Sequence, residues 1–374
     1  GKNCMDSLYQ AITWAIAHDE DLIYCICDQH VSIQFDWDIL TSVIHDLVPE
    51  KVSMLFIDAK YESSIVVNQH CVAIDGVEAV SSFILVRPIY NFVLAILENR
   101  EEITGMGWLN FLQFIAPHSF LFSPYTIEPK CDIKFHIVSP FRNAANYLND
   151  YLISLQKQVH RNFHAYLIDD CSDDGSSKLI EESENITKIV NNERKYALPN
   201  IVHVLRDQNI ADDDVVCILD ADDRFPHKYV LNVLRAVYTD ENVLSTHGSS
   251  QYFDGYRRYG VHYTKHDFEN LRKRPWKSSP LRTFRYKVFK EILSRDPELN
   301  IMKDDSGHLI TMPSDMALFF PIMELAGYES TRFIRTPLYE YRLHDQNDQY
   351  ANRPEQYQGE LLLRAKKGFR RHFI

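Results

Sequence analysis

The sequence has few long hydrophobic runs: its most apolar part, residues 82–97, carries Arg87 and Pro88, so no transmembrane helix is expected. It also lacks any CxxC pair or zinc-type spacing. Its seven cysteines, Cys4, Cys25, Cys27, Cys71, Cys131, Cys171 and Cys217, are scattered and odd in number, which points to free thiols in a reducing, cytoplasmic compartment. Cys25 and Cys27 lie two apart in an apolar run and would share one face of a strand, where side chains diverge too far for an easy disulfide. With 12 glycines and 15 prolines in 374 residues, collagen-like and elastic repeats are excluded. Positive charge is in the minority. The 40 Lys and Arg against 52 Asp and Glu leave a net charge of −12, which argues against nucleic acid as a partner and against broad binding to anionic membranes. No signal peptide precedes Asp6, and the chain opens on Gly1 rather than Met, so a natural N-terminus is expected upstream. What is present is ordinary globular composition, 45% hydrophobic, 12% aromatic and 25% charged. At about 150 residues per domain the length predicts two domains.

From Ile133 onward short apolar runs alternate with amphipathic stretches, the pattern of βαβ units on a mostly parallel sheet flanked by helices, an α/β fold. Strands are expected over 133–138, 165–168, 186–190, 215–219 and 243–252. Helices are expected where Leu148, Leu152 and Leu155 recur, over 197–208, 229–238 and 316–325, with a short one over 176–182. Residues 257–279 read as a polar, basic, irregular segment. The first 130 residues differ in texture. Asp19-Glu20-Asp21, an apolar run and Asp28 parallel Asp212-Asp213-Asp214, an apolar run and Asp220, which suggests a partial repeat in a smaller α/β module. The expected division is 1–130, 131–350 and a basic tail, 351–374.

In an open α/β sheet, ligands bind at the carboxyl ends of the strands. The segments that follow the four ordered strands are unusually polar: Ser139-Pro140-Phe141-Arg142-Asn143, Asp169-Asp170-Cys171-Ser172, Asn191-Asn192-Glu193-Arg194 and Asp220-Ala221-Asp222-Asp223. Asp220 and Asp222 lie two apart where a strand stops, so both carboxylates can turn to one hard cation, Mn²⁺ or Mg²⁺, and leave positions for phosphate oxygens. An isolated D-x-D can equally end a strand in a solvated turn; its place after the fourth βα unit favours the metal reading. Asp169 and Asp170 can likewise be a turn before a helix capped by Ser172 or Asp173.

These segments, in Val138-Ser139-Pro140-Phe141-Arg142-Asn143, Ile168-Asp169-Asp170-Cys171-Ser172-Asp173-Asp174-Gly175-Ser176 and Ile218-Leu219-Asp220-Ala221-Asp222-Asp223, closely resemble the family 2 glycosyltransferases of the Rossmann-like GT-A fold, and the resemblance runs from about residue 133 to 348. It implies an inverting transfer of a sugar from a nucleoside diphosphate sugar, usually a UDP-sugar, to a hydroxyl on a glycan, lipid-linked glycan or protein. It also implies nucleotide contacts at Ser139, Pro140, Arg142, Asp169, Asp170, Asn192, Arg194 and Asp220. Asp220 and Asp222 match the metal and ribose-binding pair, and His344 stands where relatives place a further metal ligand, although a His among polar residues can also be merely solvated. The resemblance calls for a general base opening a helix, and Asp315 after Pro313 and Ser314 fits; an ordinary cap is the alternative. Trp276 and Arg282 resemble an acceptor-side segment, where an indole can stack on a sugar; an aromatic packed under a loop is the other possibility.

The N-terminal module departs from this pattern: only 27 residues precede Asp28, its Asp28-Gln29-His30 stands for the D-x-D, and residues 106–112 hold no acid matching Asp315. It is expected to be non-catalytic. Two other function classes compete with glycosyl transfer: a nucleotidyltransferase, which usually shows the Gly-rich phosphate loop that 139–143 lacks, and a non-catalytic nucleotide-sugar binding protein, which need not keep Asp220, Asp222 and Asp315. Residues 364–374 are basic with aromatics interleaved, which suggests either peripheral contact with a membrane surface or a solvated helix end.

Overall fold

The computed structural model describes residues 133–253, 258–344 and 353–370, together with the backbone of four strands at 22–26, 54–68, 71–86 and 119–122. Asp28, His30, residues 106–112, Cys4, Cys27, Cys131 and residues 371–374 lie outside the described residues. The chain divides into two compact units, Gly1–Lys130 with Asn232–Val237, and Cys131–Leu231 with Tyr238–Ile374.

In the first unit, β1 (Leu22–Ile26), β2 (Met54–Asn68), β3 (Cys71–Val86) and β4 (Ser119–Phe122) form a sheet in the order β1-β3-β2-β4. β2 and β3 are an antiparallel hairpin whose register slips at several points, and β1 runs antiparallel to β3. The apolar run after Asp19-Glu20-Asp21 is thus a strand, as its composition predicts.

The second unit is built on an eight-stranded mixed sheet. β5 (Phe135–Phe141), β6 (Phe163–Asp169), β7 (Ile186–Val190) and β8 (Val215–Ile218) are mutually parallel and lie side by side as β8-β5-β6-β7, so their carboxyl ends share one edge. The sheet continues from β8 through β11 (Arg282–Arg285) to β9 (Ser245–Tyr252) and β10 (Arg258–Tyr259), with β12 (Thr331–Tyr341) parallel to β9. β5 is buried along its whole length, as a central parallel strand must be.

Helices follow the strands: α1 (Leu148–Gln156), α2 (Ala197–Asp207), α3 (Val230–Val237), α4 (Lys265–Glu269), α5 (Tyr286–Arg295), α6 (Ser314–Ala326) and α7 (Arg353–Ala365). The expected short helix after Gly175 is a single 3-10 turn, Ser176–Leu179. The segment expected to be irregular contains α4, which Thr264 and Asp267 open with a reciprocal capping box. α6 is apolar nearly all round and buries ten of its thirteen residues, so it is a core helix rather than a surface one. Glu324, a partly buried charge on this helix, is held by Arg272 through Nε and Nη2.

The basic run near the C-terminus is drawn into this unit. Arg364 donates to Glu360 and to the carbonyls of Arg272 and Arg274, and Lys366 Nζ donates to the carbonyl of Asn300. Gly359 of α7 lies against the carbonyl of Met312, so close that a Cβ there would collide with it. Among the described residues no helix is long and apolar enough to cross a membrane. Cys171 and Cys217 are free thiols.

Candidate active site

The loops after β5 and β6 are stitched to one another. The amides of Asn143, Ala144 and Ala145 donate to Ser172 Oγ, Ser176 Oγ and Asp174 Oδ2, each at 2.9 Å, and Asn143 Oδ1 accepts from the amide of Asp173. Asp169 is spent inside this turn, where its Oδ1 accepts the amide of Ser172 at 2.8 Å and the side chain is buried. Asp170 reaches the next loop. It accepts from Asn191 Nδ2, Asn200 Nδ2 and the amides of Lys195 and Tyr196 at 2.7–3.0 Å. Burial alone would raise the Asp170 carboxyl, but these four donors outweigh it and hold the group below the usual carboxylate range. The result is a fixed wall: Asp170 organises the turn that carries Arg194, whose guanidinium lies over the Tyr196 ring at 4.2 Å.

The acidic loop after β8 is held by β12 and the residues behind it. The Tyr339 hydroxyl, fully buried, lies 2.9 Å from Asp220 Oδ2 and 2.6 Å from Asp223 Oδ2. The Arg342 amide donates to Asp223 Oδ1, its Nε to the carbonyl of Asp222 and its Nη2 to Asp150. His344 Nε2 is 2.9 Å from Asp222 Oδ2, and its ring stacks on Tyr147 at 4.8 Å. Removal from bulk water, and then the adjoining Asp222 carboxylate, push Asp220 up to about 6. The same causes raise the buried Asp223 well above its ordinary value. Such crowding of carboxylates is unfavourable by itself and marks a place that a cation would stabilise.

Asp315 stands in the first turn of α6, where its charge suits the positive helix end and its Oδ1 accepts the amide of Met316. Its Oδ2 accepts from Arg282 Nη2 at 2.7 Å and from Trp276 Nε1 at 3.1 Å. Arg282 is the first residue of β11 and pairs with Ile218 of β8, two residues before Asp220. The Trp276 ring meets Phe320 edge-on at 5.0 Å, so the indole is fixed from both sides.

A cleft of about 1090 Å³ runs along the strand ends and brings most of the expected residues together: Pro140, Arg142, Asp170 and Arg194 on one side, Asp220, Asp222 and His344 in the middle, Trp276, Arg282 and Asp315 on the other. Three of the expected residues do not line it. Ser139 is fully buried with its Oγ 2.5 Å from the Tyr151 hydroxyl, Asp169 is in the turn described above, and Asn192 is exposed beside it. Sequence reasoning missed Tyr339, Arg342 and Asn200, and read Asn191 only as part of a polar strand end. The first two lie more than a hundred residues from the acids they hold, and only the strand pairing brings them near.

The description "Glycosyl transferase family 2" belongs to the family model that matches residues 136–295. No curated protein matches the chain. Among solved structures, the mannosyltransferase PcManGT of Pyrobaculum calidifontis, in complex with GDP-Man and Mn²⁺, is 17% identical, with a TM-score of 0.42 over 65% of this chain and 67% of that one. TarS 1-349 of S. aureus in complex with UDP is 18% identical, with a TM-score of 0.43; 62% of this chain is covered and the match spans 64% of that chain, less than two thirds of its length. Mannosyl-3-phosphoglycerate synthase of Rubrobacter xylanophilus is 14% identical, with a TM-score of 0.42 over 62% of this chain and 73% of that one. The matched residues hold all four polar segments that follow β5 to β8, while Asp315 and His344 lie beyond them; over 136–295 the chain matches the model of glycosyl transferase family 2.

Proposed function

We propose that the second unit transfers a sugar, with inversion, from a UDP-sugar to a hydroxyl acceptor, in a reaction that depends on Mn²⁺ or Mg²⁺. The observation that carries this reading is the cleft itself, where an acidic loop and His344 lie between cationic loops on one side and Asp315 on the other. Among the described residues no group of three or more His, Cys, Asp or Glu is arranged as a complete metal site. Asp222 Oδ2 and His344 Nε2, 2.9 Å apart, still fit a hard cation that takes its other ligands from phosphate and water. Asp222 and His344 would hold the ion, with Asp220 fixed behind them by Tyr339. When bound, the cation would neutralise charge on the departing diphosphate.

The protein's own groups divide the remaining work. Arg142, exposed in the cleft, and Arg194 present positive charge to the donor. Asp170 keeps the Arg194 turn in place rather than spending its carboxylate on the ligand. Asp315 takes the proton from the acceptor hydroxyl as that oxygen attacks the anomeric carbon from the face opposite the leaving diphosphate, which inverts the configuration. Arg282 and Trp276 orient the Oδ2 oxygen for that step.

The test is calorimetric titration of UDP with and without Mn²⁺, beside a screen of nucleotide-sugars for slow hydrolysis. Asp222→Ala is expected to abolish nearly all metal-dependent UDP binding and turnover. UDP affinity that is equal with and without metal in the unmutated protein would overturn the metal-dependent reading.

A further inference from the structure

Among the side chains that line the cleft and to which the proposed reaction gives no role are three tyrosines that meet one another, Tyr252, Tyr259 and Tyr341. Their meeting follows from register. Tyr341 of β12 lies opposite Tyr252 of β9, and Tyr259 of β10 lies opposite Ser250, two residues before Tyr252. Residues two apart on a strand share a face, so all three rings stand on the same side of the sheet. The intervening Glu340 points the other way, where Arg224 and Gln251 bind its carboxylate. The ring centroids are 5.4 Å (Tyr252–Tyr259), 6.0 Å (Tyr252–Tyr341) and 6.1 Å (Tyr259–Tyr341) apart, with both Tyr341 contacts edge-on. Each ring braces the other two, and all three remain half-buried rather than sealed into the core.

Sheet order places this aromatic floor relative to the chemistry. The cationic loops follow β5 and β7, the acids follow β8, and Arg282, which holds Asp315, begins β11. β9 comes next, two strands from β8, so the floor begins about 10 Å from the acids on the side away from the nucleotide loops. We infer that Tyr252, Tyr259 and Tyr341 form the acceptor subsite and that it takes a sugar ring, so that the acceptor is a carbohydrate rather than a protein side chain or a bare lipid phosphate.

This rests on the glycosyl-transfer reading and narrows it. A pyranose has one face of C–H bonds and a rim of hydroxyls, and tyrosine offers the counterpart, a flat apolar ring with a polar tip. The walls nearby are charged or hydroxylic, with Asp222 and Arg282 among them, which suits a hydroxyl rim. A polyprenyl chain would need a continuous apolar channel.

The experiment is saturation-transfer NMR on the full chain with UDP and Mn²⁺, using methyl hexopyranosides, methyl N-acetylhexosaminides and their β-linked disaccharides as probes. At least one probe is expected to bind, about fivefold or more weakly to Tyr252→Leu and Tyr341→Leu, and within about twofold to the Phe variants, which keep the ring. UDP titrations on the same samples report the donor half separately. If UDP binds normally but no saccharide does, or the Leu variants bind saccharide as well as the unmutated protein, the subsite assignment is wrong. It is wrong too if a polyprenyl phosphate or a Ser/Thr peptide binds in place of the saccharides. If no nucleotide or nucleotide-sugar binds at all, the glycosyl-transfer reading fails first.

Discussion

Asp315 is the residue on which the proposed chemistry turns, and its surroundings support the proposal of a base over that of a simple cap. A cap would face the helix amides alone, whereas Asp315 gives Oδ1 to Met316 and turns Oδ2 into the cleft toward Arg282 and Trp276. Asp315→Asn keeps the size and can still accept from both donors, but it cannot take a proton. Turnover is expected to fall by roughly 10²–10⁴-fold with UDP affinity nearly unchanged. Steady-state kinetics beside UDP calorimetry checks this, and normal turnover in the variant would remove Asp315 as the base. At this scale the sequence was partly legible. Asp220 and Asp222 stood out because an acidic pair ended an apolar run, and Asp315 because the family resemblance called for an acid opening a helix and Pro313 and Ser314 precede it. Asp170 was legible as a polar strand end but not as an organiser of the next loop, because its partners Asn191 and Asn200 come from later parts of the chain.

Among the elements, β12 does most to shape the acidic loop. Tyr339 and Tyr341 alternate with Glu340, so one strand sends a hydroxyl to Asp220 and Asp223, a ring to the aromatic floor, and a buried carboxylate to Arg224 behind the sheet. Tyr339→Phe fills the same space and removes only the hydroxyl. Loss of one hydrogen bond to a charged group costs about 1.5–3 kcal/mol, and Mn²⁺-dependent UDP affinity is expected to drop by about tenfold if part of that cost is borne by Asp220. Calorimetry and a melting curve on the same variant separate the cases: a lower Tm with unaltered affinity would make Tyr339 a core residue and nothing more. The four parallel strands were readable from apolar runs bounded by polar ends; three of them are buried on both faces nearly throughout, and only the edge strand β7 is partly open. Thr264 and Asp267 hid a helix within a basic segment, because a capping box of two residues changes composition very little. The pairing of β12 with β9 was beyond reach, for nothing in local periodicity says which distant strand a strand will join.

For the whole second unit, the C-terminal helix is an integral wall. Arg364 and Lys366, read from the sequence as part of a basic stretch that meets a membrane surface or ends a solvated helix, donate to Glu360 and to backbone carbonyls. Gly359 is where α7 presses on Met312, just ahead of Asp315, and Gln356 of the same helix lines the cleft. The obstacle there is backbone, which no side-chain rotation can relieve. Gly359→Ala is therefore expected to lower stability by about 1–3 kcal/mol and to reduce turnover more than UDP affinity, because the helix must shift on the side where Asp315 stands. Urea unfolding and kinetics on this variant test it; unmutated values for both would show that α7 yields freely. The same contact sets an order on the protein's making. A nascent chain emerges from its N-terminal end, so the polar loops after β5 to β8 are made more than a hundred residues before Gly359 arrives to seat the segment ahead of Asp315. A polypeptide halted in that interval would carry every polar strand end and still lack the contact that seats the segment ahead of Asp315.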